Sequence, residues 1–203
     1  MIHSPRHVRT FADLDDGELD AVARAWHARA EAALAEGFAY LHALINEGKA
    51  AGASLAHSHS QLVWMREPPP AVRGERSRSG CGVCAAAAAD RELVVAEENG
   101  AVAVASAAGR LPYELLIAAP HADLDLGAAL RLVRRCIRAL RAVEGPVPWN
   151  AWLHELYQGG ETHPHLEVVP RLSVLAGVEL GAGIYVNTVD PLDAAAALRG
   201  AAG

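Results

Sequence analysis

An α+β fold made of two similar halves is predicted for this chain of 203 residues, and three observations predict it. Two apolar, strand-like runs, AHSHSQLVW at 56–64 and THPHLEVVP at 162–170, each carry His-x-His. Each run closes the same order of elements: a Pro-(x)-His turn, a helix, a strand, then His-x-His. Pro5 and His7 open the first copy, and Pro120 and His121 open the second. The second copy also carries CGVC and three strands ahead of its turn. The first begins at Met1, inside what would be its third strand, so the first half is expected to be incomplete.

The elements follow in order. Residues 13–36 read as a helix: acidic residues crowd the first turn, where the helix dipole favours them, and Leu14, Leu19, Val22, Ala23, Trp26 and Ala30 recur at helical spacing. FAYLHALIN at 38–46 reads as a strand and EGKAAGA as a turn, followed by a strand over 55–64. Residues 66–80 are rich in Pro, Gly and charge, as in a linker or long crossover. Runs at 92–97 and 101–106 form a hairpin about Asn99-Gly100, a favoured two-residue turn. YELLIAAP at 113–120 is a strand. Residues 125–145 are an amphipathic helix, with Leu126, Leu130, Val133, Ile137 and Leu140 on one side. NAWLHEL at 150–156 and the run at 162–170 are strands, and GIYVN at 183–187 is a candidate for another. Asp190 caps a closing helix with Pro191 at its first position. The boundaries expected are a partial half over 1–66, a linker over 67–80 and a second half over 81–203.

Bulk properties narrow the function. A formal charge of −6 argues against nonspecific nucleic-acid binding, and about half the residues are apolar, enough for a core. No apolar run is long enough to span a bilayer, and the N-terminus is not signal-like, so no membrane partner is expected. Three cysteines, two of them in CGVC, suit a reducing cytosol and a metal site, and the cytoplasm is the expected location. Strand alternation puts His57, His59 and Gln61 on one face, and His163, His165 and Glu167 on one face. Histidine in such runs points to metal binding or to proton and phosphate chemistry.

NEGKAAGASLAHSHSQ at 46–61 resembles the active-site segment of galactose-1-phosphate uridylyltransferases, members of the histidine-triad superfamily built from two such half-domains. SPRHVRTFADL, HPHLEVVPR, AGVELGAGIYVN and DPLDAAAALR are similar to further parts of that family, so the likeness covers nearly the whole chain. The resemblance implies histidine-triad-like halves, each a mostly antiparallel sheet with a helix against it. It implies a homodimer with active sites near the subunit interface, and UDP-sugar and hexose-1-phosphate as substrates. His59 would be the nucleophile that takes the uridylyl group, and Gln61 a donor to the transferring phosphoryl oxygens. Asn46 and Ser54 match phosphate contacts. Gly52 and Ala53 are small enough to let backbone N–H groups approach an anion. Glu179 matches a hexose contact. Two departures stand out: Ser58 replaces a usual Pro between the histidines, and Val178 stands where an aromatic is common.

By the repeat and the family's ligand order, Cys81, Cys84, His121 and His163 form a tetrahedral zinc set of two thiolates and two imidazoles. In some relatives His154, His163 and His165 hold a second metal with a glutamate; the cysteine set is preferred because the thiolates otherwise lack a purpose. His7 and His57 have lost cysteine partners. His165 is read as structural, His154 as packing or interface, and His3, His27 and His42 as surface or ordinary helix and strand residues. Cys136 is read as core, and Trp64, Trp149 and Trp152 as core or dimer packing. Arg131, Arg134, Arg135, Arg138 and Arg141 are read as a solvated basic face. Nucleotidyl transfer from a UDP-sugar to a hexose-1-phosphate is therefore the first expectation. A nucleotide hydrolase or phosphorylase of the same superfamily, or an inactive zinc-stabilised binding remnant, is the alternative.

Overall fold

The computed structural model describes residues 1–76, 82–88, 90–120, 123–154 and 164–202. Helix α1 spans Asp16–Ala35. It starts there because the Asp15 carboxylate accepts from the Glu18 N–H while the Glu18 carboxylate accepts from the Asp15 N–H, a reciprocal cap on two otherwise orphaned donors. Its Leu19, Val22, Ala23, Trp26, Ala30 and Ala33 are buried; Leu14, expected at the head of this stripe, is buried just ahead of the helix, after the 3-10 turn Phe11–Asp13. Strand β1, Tyr40–Glu47, and strand β2, Ser60–Met65, pair antiparallel. Helices α2, Pro70–Arg76, and α3, Gly82–Ala88, follow. Strands β3, Val94–Glu98, and β4, Ala101–Ala105, form the predicted hairpin, with Asn99 at φ 47° and Gly100 at φ 81°. Strand β5 is Leu115–Ala118 and helix α4 is Leu126–Glu144. Strands β6, Trp149–His154, and β7, His165–Pro170, come next, then the short helix α5, Gly177–Ala182, and the closing helix α6, Pro191–Ala201.

The seven strands of the described residues join one antiparallel sheet in the order β2-β1-β6-β7-β5-β4-β3. Residues 1–66 supply two of its strands, and β1 pairs with β6, so the sheet is continuous across both expected halves. The two copies of the repeat meet at this central pair. β1 lies between β2 and β6, and β6 between β1 and β7, so the His-x-His strands β2 and β7 flank the pair symmetrically. The β2 edge is lined by Met1 and Ile2: the Ser60 N–H donates to the Met1 carbonyl at 2.9 Å, and Ile2 bridges to His59. The same bridge in the second copy is Ala118 opposite His165.

One sheet face carries the core. Ala43, Ile45, Ala151, Leu153, Leu166, Val168, Leu115 and Ile117 point into it and meet α1, α4 and α6. The α4 stripe of Leu126, Leu130, Val133, Ile137 and Leu140 is buried there as predicted. Cys136 is fully buried in the same core, and burial pushes its thiol up to about 12.

Five expectations change. The run at 55–64 is a strand only from Ser60, because the backbone ahead of it bonds to the N-terminal segment instead of β1: the Ser58 N–H donates to the Val8 carbonyl at 2.8 Å. His57 therefore precedes the strand. His59 and Gln61 do share a face, since Ser60 between them points inward to accept from Trp26 Nε1 at 3.0 Å. The expected linker carries α2. GIYVN is not a strand; exposed Ile184, Tyr185 and Val186 lie in irregular chain after α5. The arginines of α4 are not simply solvated: Arg134 and Arg138 donate to the carbonyls of Leu14 and Ala12, and Arg131 joins Asp20 to Glu98, so this face clamps the start of α1 and the β3–β4 hairpin. His3, expected at the surface or as an ordinary helix or strand residue, is instead buried in irregular chain; its Nδ1 meets Ser58 Oγ at 2.9 Å.

Candidate functional site

The sheet face opposite the core is where the polar residues gather, and strand register arranges them in rows. Ile45 opposite Ser60 puts Asn46 beside His59, and Asn46 faces Asn150, giving a row His59, Asn46, Asn150 across β2, β1 and β6. The next row runs Gln61, Leu44, Trp152, Glu167. The third ends in His154 opposite His165, with His42 next along β1. Outward residues in successive rows are two positions apart, about 7 Å along a strand.

In the first row, the His59 ring is nearly buried, at 6 % exposure, and its Nδ1 lies 2.8 Å from the His57 carbonyl. A carbonyl only accepts, so in the neutral ring Nδ1 carries the proton and Nε2 holds the lone pair. That is the tautomer an imidazole nucleophile requires. Asn46, at the end of β1, enters the turn that leads to Gly52, Ala53 and Ser54. Gly48 has φ 86° and Gly52 φ 85°, and a Cβ on Gly48 would meet Pro148 Cβ at 2.9 Å. Left-handed backbone and close packing both demand glycine there. Gly52 and Ser54 are exposed and Ala53 half-buried, so the backbone of this turn is open to solvent. Gln61 is exposed on the face it shares with His59. Glu179 lies in α5, which buries none of its residues, and its carboxylate accepts from the Ala176 N–H at 2.9 Å. This bond lowers its pKa from the usual carboxylate range.

In the second and third rows a different group assembles. Glu75 from α2 meets His154, His165 and Glu167, with one ligand atom of each within 4.8 Å of the others. His154 Nδ1 is 3.0 Å from Glu75 and 3.6 Å from Glu167, and His165 Nε2 is 3.9 Å from Glu75. Ligand bonds of about 2.0–2.2 Å set tetrahedral edges near 3.4 Å, so these separations suit a zinc-sized ion. Both histidines are buried, and Arg110, stacked over Trp152 at 5.5 Å, binds Glu167 and Glu114. Two cavities, of about 410 and 650 Å³, flank this group and share Glu75, Arg110 and Glu167 in their walls. His154 and His165 are thus drawn into one polar cluster. Glu75 escaped the sequence reading because it lies in the charged stretch 66–80, where nothing in the local pattern marks a ligand. Of the expected zinc set, Cys84 is buried in α3, while Cys81, His121 and His163 lie outside the described residues.

Residues 27–199 match the family described as a domain of unknown function, DUF4921. The chain belongs to that family. DUF4921 here falls within the galactose-1-phosphate uridylyltransferase-like group of the histidine-triad superfamily. The chain is 30% identical over 225 residues to an ADP-glucose phosphorylase of Arabidopsis thaliana, covering 98% of this chain and 63% of that protein. It thus spans about 63% of the length of that curated relative. Its fold is similar to a solved uridylyltransferase, with a TM-score of 0.88 and 25% identity over 99% of this chain and 73% of that one. It is also similar to the Arabidopsis thaliana ADP-glucose phosphorylase solved with bound ADP-glucose, with a TM-score of 0.82 and 27% identity over 98% of this chain and 70% of that one. The DUF4921 chain therefore has nucleotide-sugar enzymes as relatives. No helix among its described residues is long and apolar enough to cross a membrane.

Proposed function

We propose that this DUF4921 chain is a cytoplasmic nucleotidyltransferase that passes a nucleoside monophosphoryl group from a nucleotide sugar, through His59, to a phosphate-bearing acceptor. The observation that carries the reading is the His59 ring, held by the His57 carbonyl in the tautomer that frees Nε2, beside Asn46. His59 Nε2 attacks the α-phosphorus, the bond from that phosphorus to the bridging oxygen breaks, and the sugar 1-phosphate leaves. The ring is then cationic, and its Nδ1–H bond to the His57 carbonyl stabilises that charge. An acceptor phosphate oxygen attacks next and the P–N bond breaks, which restores the neutral ring. Gln61, Asn46, Ser54 and the backbone at Gly52 and Ala53 hold the phosphoryl oxygens, and positioning of this kind supplies most of the catalysis.

The acceptor separates two readings. A hexose-1-phosphate acceptor makes the chain uridylyltransferase-like, with UDP-glucose as donor and Glu179 on the hexose. Inorganic phosphate makes it phosphorylase-like; the identity to the ADP-glucose phosphorylase supports that reading, and the likeness to the uridylyltransferase supports the first about equally. Homodimerisation fits the exposed apolar chain at Val174, Val178, Leu180 and Ile184, which a second copy would cover. Zinc on Cys81, Cys84, His121 and His163 would brace the second half. An ion at Glu75, His154, His165 and Glu167 would tie α2 to the sheet.

Incubation with UDP-glucose or ADP-glucose labelled at the α-phosphorus tests the reading. An acid-labile, base-stable label on the wild type, absent from His59→Ala, is expected, with the labelled protein sedimenting as a dimer. Hexose-1-phosphate or phosphate then discharges the label and names the acceptor. A wild type that takes no label from either donor would sink the catalytic account and leave a metal-braced binding scaffold.

A further inference from the structure

The row that holds His59 contains a device that sets which end of the Asn46 amide faces the substrate. Asn150, directly across from Asn46, donates from Nδ2 to Asn46 Oδ1 at 2.7 Å and to the Ala51 carbonyl at 2.8 Å. Its own Oδ1 accepts from Arg171 Nη1 at 3.3 Å. An amide can be turned end for end, but these partners allow one orientation. Arg171 is a donor and nothing else, so it must face the Asn150 oxygen; the Ala51 carbonyl is an acceptor and nothing else, so it must face the nitrogen. With that nitrogen committed, Asn46 has to offer its oxygen to Asn150. The Asn46 nitrogen is then the end left facing the turn: it sits 3.9 Å from where a Cβ on Gly52 would stand. The Arg171 backbone is fixed by its main-chain N–H, which donates to the Pro148 carbonyl at 2.8 Å.

We propose that Arg171 and Asn150 are positioning residues that lock Asn46 with its N–H donors toward the transferring phosphoryl group, and that Asn150 also ties the 48–53 turn into the same register. The inference rests on the reading of His59 as nucleophile and Asn46 as phosphate contact. An Asn46 amide presented the other way would set a carbonyl oxygen against a phosphoryl oxygen, acceptor against acceptor. The lock removes that state before the substrate arrives, which is the preorganisation that phosphoryl stabilisation requires. Neither locking residue need touch the reacting atoms.

A double-mutant cycle on the rate of His59 labelling tests this. Asn150→Ala and Asn46→Ala are each expected to slow labelling by about tenfold to a hundredfold. The double variant is expected to be no slower than Asn46→Ala, because an unoriented amide costs nothing once the amide is gone. A purely structural Asn150 would instead multiply the two losses, and that result overturns the lock, as does an Asn150→Ala rate equal to wild type. Arg171→Leu keeps both amides and serves if Asn150→Ala does not fold; slowing that vanishes in the Asn46→Ala background supports the lock, and unchanged or multiplied losses overturn it. A wild type that takes no label removes the function reading and the lock together, whereas a labelled wild type with an indifferent Asn150 removes the lock alone.

Discussion

Beneath the His59 segment, His3 shows how one residue ties the N-terminus to the site. Its ring is buried edge-on against Phe11 at 5.6 Å. Burial, reinforced by His59, the N-terminal ammonium and His57, lowers its pKa from 6.5 to about 3. The folded chain thus refuses a proton that the unfolded chain accepts. Its contribution to stability is whole above pH 6.5 and is lost as the pH falls from there toward 3, at up to about 1.4 kcal/mol per pH unit. Urea unfolding at a series of pH values is expected to show stability rising with pH across that window, and His3→Leu to flatten the rise. An unchanged slope in His3→Leu would assign the effect elsewhere. The buried Ser58 and Ser60 hydroxyls meet His3 Nδ1 and Trp26 Nε1, whereas His3 Nε2 is buried without a hydrogen-bond partner, which adds to the cost of charging the ring.

Among the elements, the turn after β1 does the most to shape the site. It leaves the strand at Gly48, closes through the Ala51 and Ala53 N–H groups donating to the Gly48 carbonyl, and presents Gly52 to Ser54 beside His59's row. Gly48→Ala would put a Cβ 2.9 Å from Pro148 Cβ on a backbone already at φ 86°. A loss of about 1–3 kcal/mol by denaturant unfolding is expected, together with a larger relative loss of labelling than a remote variant of equal stability. Gly37, also at positive φ but with open space around it, provides the control for backbone strain alone. Equal costs at the two positions would show that the Pro148 contact contributes nothing.

For the whole molecule, one sheet face carries two polar groups. The Glu75–His154–His165–Glu167 group begins one row from His59, at Glu167, and reaches the second row beyond it at His154 and His165, about 7–13 Å along the strands; a brace that ties α2 to the sheet is the role proposed for it. Metal content and thermal midpoint measured on Cys84→Ser and His154→Ala separate the two proposed ligand sets. Each variant is expected to lose one ion and several degrees of midpoint. A variant with metal content equal to wild type would strike out its set.

The periodicity of α1 and α4, the Asn99-Gly100 hairpin and the Asp190-Pro191 start of α6 were legible from the chain because short-range rules decide them: apolar spacing, caps and turn residues act within a few positions. The His-x-His repeat likewise pointed to the strands that flank the centre of the sheet. What the chain alone could not tell was which partners those strands would take. Asn46 meets Asn150 over 104 residues, and Glu75 reaches His154 over 79. Such pairings depend on strand order and on the pseudosymmetric meeting of β1 with β6, which no local pattern encodes. For the same reason the 55–59 segment reads as strand by alternation, yet bonds to the N-terminus once the sheet edge is in place.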